Sequence, residues 1–190
     1  INQNGSIIYM TWTKCDTKHD DPICSISFTR SLDGGNTFTT SKIVSNTILP
    51  LEGYEGNSSF NGTVVNASSN TIFPQILENV SVQEGINSIN PTVFTTLEGK
   101  RVYVLWEQSI FGKGDSEIFL TVSNDYGKSF NSTINISNTS GTSRLAHGQL
   151  LGEDIYVTWS DTLNNSKTFD VMLRKIDSKN LAGDVINLSN

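Results

Sequence analysis

Apolar and polar residues alternate over short runs of this chain. SIIYMTW (6–12), ICSISFTR (23–30), RVYVLW (101–106), EIFLTVS (117–123), DIYVTW (154–159) and FDVMLRK (169–175) each read as a half-buried strand. No long stretch carries apolar residues at helical spacing. Thr, Ser, Asn, Ile and Val are abundant and Ala is rare. The pattern predicts an all-β fold.

The strands repeat. Ile7 to Trp12, Arg101 to Trp106 and Asp154 to Trp159 align without gaps, and each ends in aromatic-x-x-Trp. A polar loop, a second strand and a tight turn follow in each case. The turn leads to a third matching set: FTTSKIVSN (38–46), FNSTINISN (130–138) and AGDVINLSN (182–190). The last two sets end 52 residues apart, at Asn138 and Asn190, and the first two 92 apart, at Asn46 and Asn138. Sheet repeats of this kind run about 40–50 residues. The wider gap is close to two units, so 47–88 is expected to be a degraded unit or an insertion.

Two copies of the turn are well formed: SLDGGNTF (31–38) and SNDYGKSF (123–130). In the first, Ser31 and Asp33 stand where an Asp carboxylate can accept backbone N–H groups just ahead. Gly34 and Gly35 supply positive φ, and Phe38 is expected to return to the core. In the second, Ser123, Asp125, Gly127 and Phe130 take the same places. In the third copy Asp177 remains, but Ser178 and Lys179 replace the glycines and the aromatic is lost. The motif is expected to fold a hairpin rather than to bind calcium or catalyse.

The repeated S-x-D-x-G-x-[ST]-F turn between strands resembles the Asp-box, or BNR repeat, of sialidases, sortilin-type receptors and secreted β-propellers. The strands around it are similar to those of sialidase-like propeller proteins predicted in archaea. The resemblance covers most of 6–46 and 89–190. It implies a β-propeller, or a propeller segment, of four-stranded antiparallel blades with the box between the third and fourth strands. Residues 1–190 then read as a single propeller segment, with 1–46 an incomplete blade lacking its innermost strand and 89–138 and 139–190 two full blades. Propellers protect their edges by closing the ring. The expectation is therefore that further blades of a longer chain, or a protein partner, complete it.

The resemblance also implies what a family enzyme needs: three arginines on the substrate carboxylate, a tyrosine nucleophile paired with a glutamate, and an aspartate acid/base. Arg30, Arg101, Arg144 and Arg174 are present, and none lies in the Arg-Ile-Pro signature. Tyr9, Tyr103 and Tyr156 belong to the repeated strands and are expected to pack. A glycosidase carboxylate pair can be drawn from Glu107, Asp115, Glu117 and Asp161, but nothing places them face to face across a cleft, and they are expected to be solvated loop charges. No catalytic residue carries over.

Cys15 and Cys24 flank DTKHDDPI at the mouth of a hairpin, where a disulfide suits a secreted protein. The alternative is a metal site of Cys15, His19 and Cys24 with Asp16, Asp20 or Asp21. The standard finger spacing is absent, which favours the disulfide. His147, alone in a strand-like context, is given no role.

Composition narrows the partners. Lys and Arg number 13 against 19 Asp and Glu, for a net charge of −6, which disfavours nucleic acid and anionic membranes. No apolar run approaches the roughly 20 residues of a membrane helix. The chain opens on Ile1 and is expected to be a mature or partial product. Asn-x-Ser/Thr sequons stand at Asn4, Asn57, Asn61, Asn66, Asn79, Asn131, Asn135, Asn138, Asn164 and Asn187. Chance would give about four or five. The excess points to an N-glycosylated surface protein, with 53–70 an exposed, sugar-bearing loop and the strand sites Asn135 and Asn187 the least accessible. No cofactor is expected. The expected role is an extracellular or cell-surface module, a structural or recognition subunit that binds protein or glycan. The alternatives are a sialidase-like enzyme whose active site lies on blades outside this chain, and a glycan- or peptide-binding receptor domain of sortilin type.

Overall fold

The computed structural model describes residues 1–16, 23–45, 86–110, 115–163, 167–179 and 182–189. His19, Asp20, Asp21, Asn57, Asn61, Asn66, Asn79, Asn164 and nearly all of the 47–88 unit lie outside them. The strands are β1 (Ile8–Asp16), β2 (Ile23–Ser31), β3 (Lys42–Ile43), β4 (Ile86–Thr95), β5 (Val102–Ile110), β6 (Ser116–Ser123), β7 (Ile134–Asn135), β8 (Ser143–Leu151), β9 (Asp154–Asp161), β10 (Asp170–Ile176) and β11 (Ala182–Asn187). They form three antiparallel sheets: β1-β2-β3, β4-β5-β6-β7 and β8-β9-β10-β11. The fold is all-β, as the alternation predicts, and the sheets do not close on themselves. Among the described residues no helix is long and apolar enough to cross a membrane.

Register makes the repeat exact in space. Tyr9 pairs with Arg30, Tyr103 with Val122 and Tyr156 with Lys175, so β1, β5 and β9 are counterparts, as are β2, β6 and β10. The first sheet has no described counterpart of β4 and β8. Period-2 alternation sends successive side chains to opposite faces. Val102, Val104, Trp106 and Phe119 of the second sheet pack on Tyr9, Ile26 and Phe28 of the first. Tyr103, Leu105, Ile118, Leu120 and Val122 point the other way, onto Ile155, Val157, Trp159, Met172 and Ile176 of the third. The second sheet is thus buried on both faces. Each such side chain contributes roughly 1.5–3 kcal/mol on full burial.

Close approach is built in. A Cβ on Gly148 of β8 would lie 2.4 Å from the Phe94 ring and 2.7 Å from Leu105 Cδ1, so only glycine lets the third sheet reach the second. The inner strands β4 and β8 each carry a bulge, with Asn90 (φ 52°) and Leu145 (φ 56°) left-handed at matching positions.

Two sequence expectations change. Phe38 does not return to the core: it is 44% exposed, because no described sheet stands beside the first as the first stands beside the second. Its counterpart Phe130 meets the Phe28 ring of the first sheet edge-on at 4.9 Å. Glu107 and Asp161 are not solvated loop charges either. They lie in β5 and β9 and are buried, and Glu117 lies in β6 and is half-buried, because all three side chains bond at the junction of the second and third sheets.

Candidate functional site

The two good turns share the same serine and aspartate side-chain bonds. Asp33 Oδ1 accepts from Ser31 Oγ at 2.7 Å and from Thr37 N at 2.9 Å, and its Oδ2 accepts from Thr37 Oγ1 at 2.5 Å. Asp125 Oδ1 accepts from Ser123 Oγ at 2.7 Å and Ser129 N at 2.8 Å, and its Oδ2 from Ser129 Oγ at 2.5 Å. The serine oxygen in turn accepts from Gly35 N or Gly127 N. Gly34, Gly35 and Gly127 hold φ of 71°, 94° and 75°, and Tyr126, at the place of Gly34, holds 60° with its side chain. Hydrogen bonds from the Thr37 hydroxyl and backbone hold Asp33 down at about 2. At Asp125 burial would raise the carboxyl, but the bonds from Ser129 and Ser123 outweigh it and again hold it at about 2. A carboxylate with both oxygens already accepting, and so acidic, is poorly suited to general acid/base work at neutral pH. In the third copy, Asp177 Oδ1 accepts from Lys179 N at 2.9 Å.

The arginines join sheets. Arg30 of the first sheet donates to the carbonyls of Asp125, at 3.2 Å, and Tyr126 in the second turn. Arg101 donates to Asn124 Oδ1 and to the Ser178 carbonyl, at 2.9 Å, in the turn of the third sheet. Arg174 reaches back to the Ile136 carbonyl of the second sheet at 2.7 Å. Arg144 is exposed at the start of β8. Lys42 adds bonds to the Gly127 and Lys128 carbonyls and lies 4.9 Å from the Phe130 ring centroid.

The tyrosines do pack. Tyr9 donates to the Gly99 carbonyl at 2.5 Å, and burial pushes its hydroxyl up to about 12. Tyr103 is buried against Phe94 and is likewise raised by burial, and Tyr156 lies under the Lys175 ammonium. Cys15 and Cys24 are direct cross-strand partners and form a disulfide, with Cα atoms 4.0 Å apart. Both sulfurs are therefore covalently bonded, and the thiolate metal set does not form. Among the described residues no group of three metal-ligating side chains stands together. His147 is exposed on β8, and Asn4, Asn131 and Asn138 are exposed, while Asn135 and Asn187 are half-buried.

Sequence reasoning missed a buried polar knot between the second and third sheets. Asp161 Oδ2 accepts from Ser143 Oγ at 2.7 Å, Thr139 Oγ1 at 2.8 Å and Trp159 Nε1 at 3.0 Å. Thr139 N also donates to Glu117 Oε2, which accepts from Ser137 Oγ as well. Glu107 Oε1 takes the N–H of left-handed Leu145 at 2.7 Å. Burial first, and then the nearby Asp161 charge, raise the Glu117 carboxyl against its hydrogen bonds. Asp115 stands at the edge, 3.4 Å from Thr142 Oγ1. The signal was in the repeat: Trp-x-acceptor. Trp106 Nε1 donates to Gln108 as Trp159 does to Asp161, whereas Trp12 has Lys14 at that place. No protein-family model matches the chain, and no curated protein matches it.

Proposed function

We propose that this chain is a non-catalytic segment of an Asp-box β-propeller, acting as a structural or recognition subunit at a cell surface or outside the cell. One observation carries the reading: among the described residues, the turn carboxylates and three of the four arginines are taken up by architecture. The turn carboxylates Asp33 and Asp125 are saturated by their own turns, and Arg30, Arg101 and Arg174 hold carbonyls of neighbouring sheets. The three-sheet stack with one repeated packing geometry favours blades, and the disulfide and the exposed Asn4, Asn131 and Asn138 favour an oxidising, glycosylating compartment. The sialidase-like alternative needs arginines free to clamp a substrate carboxylate, and three of the four are engaged. The sortilin-type alternative differs only in what the loops bind.

The test is the intact mass of native, unreduced protein from its own source, before and after enzymatic deglycosylation. The expected result exceeds the 20.8 kDa of the bare chain and falls on deglycosylation, with no free thiol. Bare sequons together with free thiols would sink the extracellular reading. A glycan and peptide array then separates a recognition role from a purely structural one.

A further inference from the structure

We infer that the chain docks head to tail with a second copy of itself, the outer face of the third sheet of one copy lying against the outer face of the first sheet of the other. The two faces are the unpaired halves of an interface the molecule already makes twice. Val104 and Trp106 are fully buried by the first sheet, and Val157 and Trp159 are buried by the second. Their counterparts in the first sheet are Met10 and Trp12, still apolar yet 49% and 38% exposed. Ile43 lies on the same face two strands away, since it and Trp12 pair with Ser27 from opposite sides, and is also exposed.

The other end repeats the pattern in reverse. Pairing across the sheets makes Val171 the counterpart of Ile26 and Ile118, which are fully buried. Val171 is 45% exposed and Ile186 is exposed next to it. Scattered apolar residues on a surface are ordinary, but a contiguous apolar face at positions buried elsewhere marks an interface.

A polar contact made once inside the chain, where the second sheet has Val122 at the place of Arg30, points to the same pairing of faces. Arg30 holds the Asp125 and Tyr126 carbonyls of the next sheet's turn. Its counterpart in the third sheet is Lys175, whose side chain is half exposed and paired with Asp154 at 2.7 Å. The turn carbonyls at the other end are those of Asp33 and Gly34, the counterparts of Asp125 and Tyr126; the Asp33 carbonyl accepts from Asn36 Nδ2 at 2.6 Å, and a second donor would match the Asp125 carbonyl, which takes both Lys128 N and Arg30. Phe38 would settle on Leu173 as Phe130 settles on Phe28. One chain carries both halves, so a second copy satisfies both at once. Two copies bring together six described sheets, within the roughly four to eight blades of propellers. The inference rests on the propeller-type reading of the stack.

Sedimentation of the 190-residue chain over a wide concentration range tests it, together with acrylamide quenching of its three tryptophans. A dimer with all three shielded is expected. Trp12→Glu and Val171→Glu should each give monomers with unchanged β-type circular dichroism, with Ile43→Lys as a substitute if Trp12→Glu fails to fold. Mixing the two variants should restore a dimer, because each keeps the face the other lacks. A dimer broken by only one variant would mean like faces meet and would overturn the proposal. A monomer with Trp12 quenched and the other two shielded would overturn the docking and leave the stacked-sheet reading standing. A monomer with Trp12 shielded would give that face to another segment of the same chain, and also overturns it. Quenching of all three tryptophans would sink the stack itself, and both readings with it.

Discussion

The turns at 31–38 and 123–130 have the same internal bonds but different surroundings. Within each, a serine hydroxyl and an aspartate carboxylate satisfy the same donors at nearly equal distances. Outside, the second is pressed against the first sheet by Arg30, Lys42 and the Phe28 ring, while no described sheet covers the first. The motif therefore makes the turn by local chemistry alone, and the neighbour decides what the turn does for stability. Substitutions that act inside the motif should affect both turns alike. Those that act at its outer surface should affect only the second.

The largest separation is expected at the glycines. A Cβ on Gly127 would come within 2.6 Å of the Phe28 ring, at a φ of 75°. Gly127→Ala combines left-handed strain of about 1–2 kcal/mol with overpacking of about 1–3 kcal/mol. At Gly35 the added Cβ meets only Ile8 Cδ1, at 3.2 Å. Gly35→Ala should show little beyond the strain. Urea unfolding of the two variants measures the difference, and equal losses would mean that Phe28 yields to the new methyl.

The aromatic pair comes next. Phe130→Ala removes a half-buried ring that touches Phe28, and a loss of about 2 kcal/mol is expected, below the roughly 3–5 kcal/mol of a fully buried phenylalanine. Phe38→Ala should cost less than about 0.5 kcal/mol in the monomer. In a head-to-tail dimer Phe38 becomes an interface residue, so its effect should grow with protein concentration. Arg30→Ala should cost about 1–2 kcal/mol, since it leaves two turn carbonyls without a charged donor. Thermal unfolding checks both, and an Arg30→Ala variant with an unchanged Tm would reduce the sheet-to-turn bonds to ornaments of the surface.

The all-β class and the Asp-x-Gly turns were legible because they are written in near neighbours. Alternation of period two and a Ser-x-Asp-x-Gly spacing are local, and local chemistry produced both. The disulfide was legible for the same reason, since Cys15 and Cys24 flank one hairpin. What escaped depended on neighbours distant in sequence. Phe38 and Phe130 occupy identical motif positions, and only the order of sheets in the stack separates them. Glu107 and Asp161 look like polar strand ends, yet the second and third sheets close over them. The Trp-x-acceptor pattern was visible at Trp106 and Trp159, but without knowing that the indoles are buried there was no reason to look for an acceptor.

The smallest effect is the response to acid, and it discriminates most cleanly between motif and knot. Asp33 and Asp125 sit at about 2 in the fold against an ordinary 3.8. The unfolded chain therefore takes up these protons first as pH falls. The stability they contribute is whole above about 3.8 and is lost as pH drops from there towards 2. Glu117 has the opposite sign: burial raises it above its ordinary 4.5, so its ionisation opposes folding as pH rises through its raised value. Acidification from neutrality should first bring a slight gain from Glu117 and then a loss from the turns. Glu117→Gln should abolish the gain and leave the loss. Asp33→Asn with Asp125→Asn should flatten the loss and leave the gain. The two single variants should flatten it equally, because the bonds that depress both carboxylates lie within the motif. A larger effect at Asp125 would mean that the covering sheet, and not the turn alone, sets its acidity.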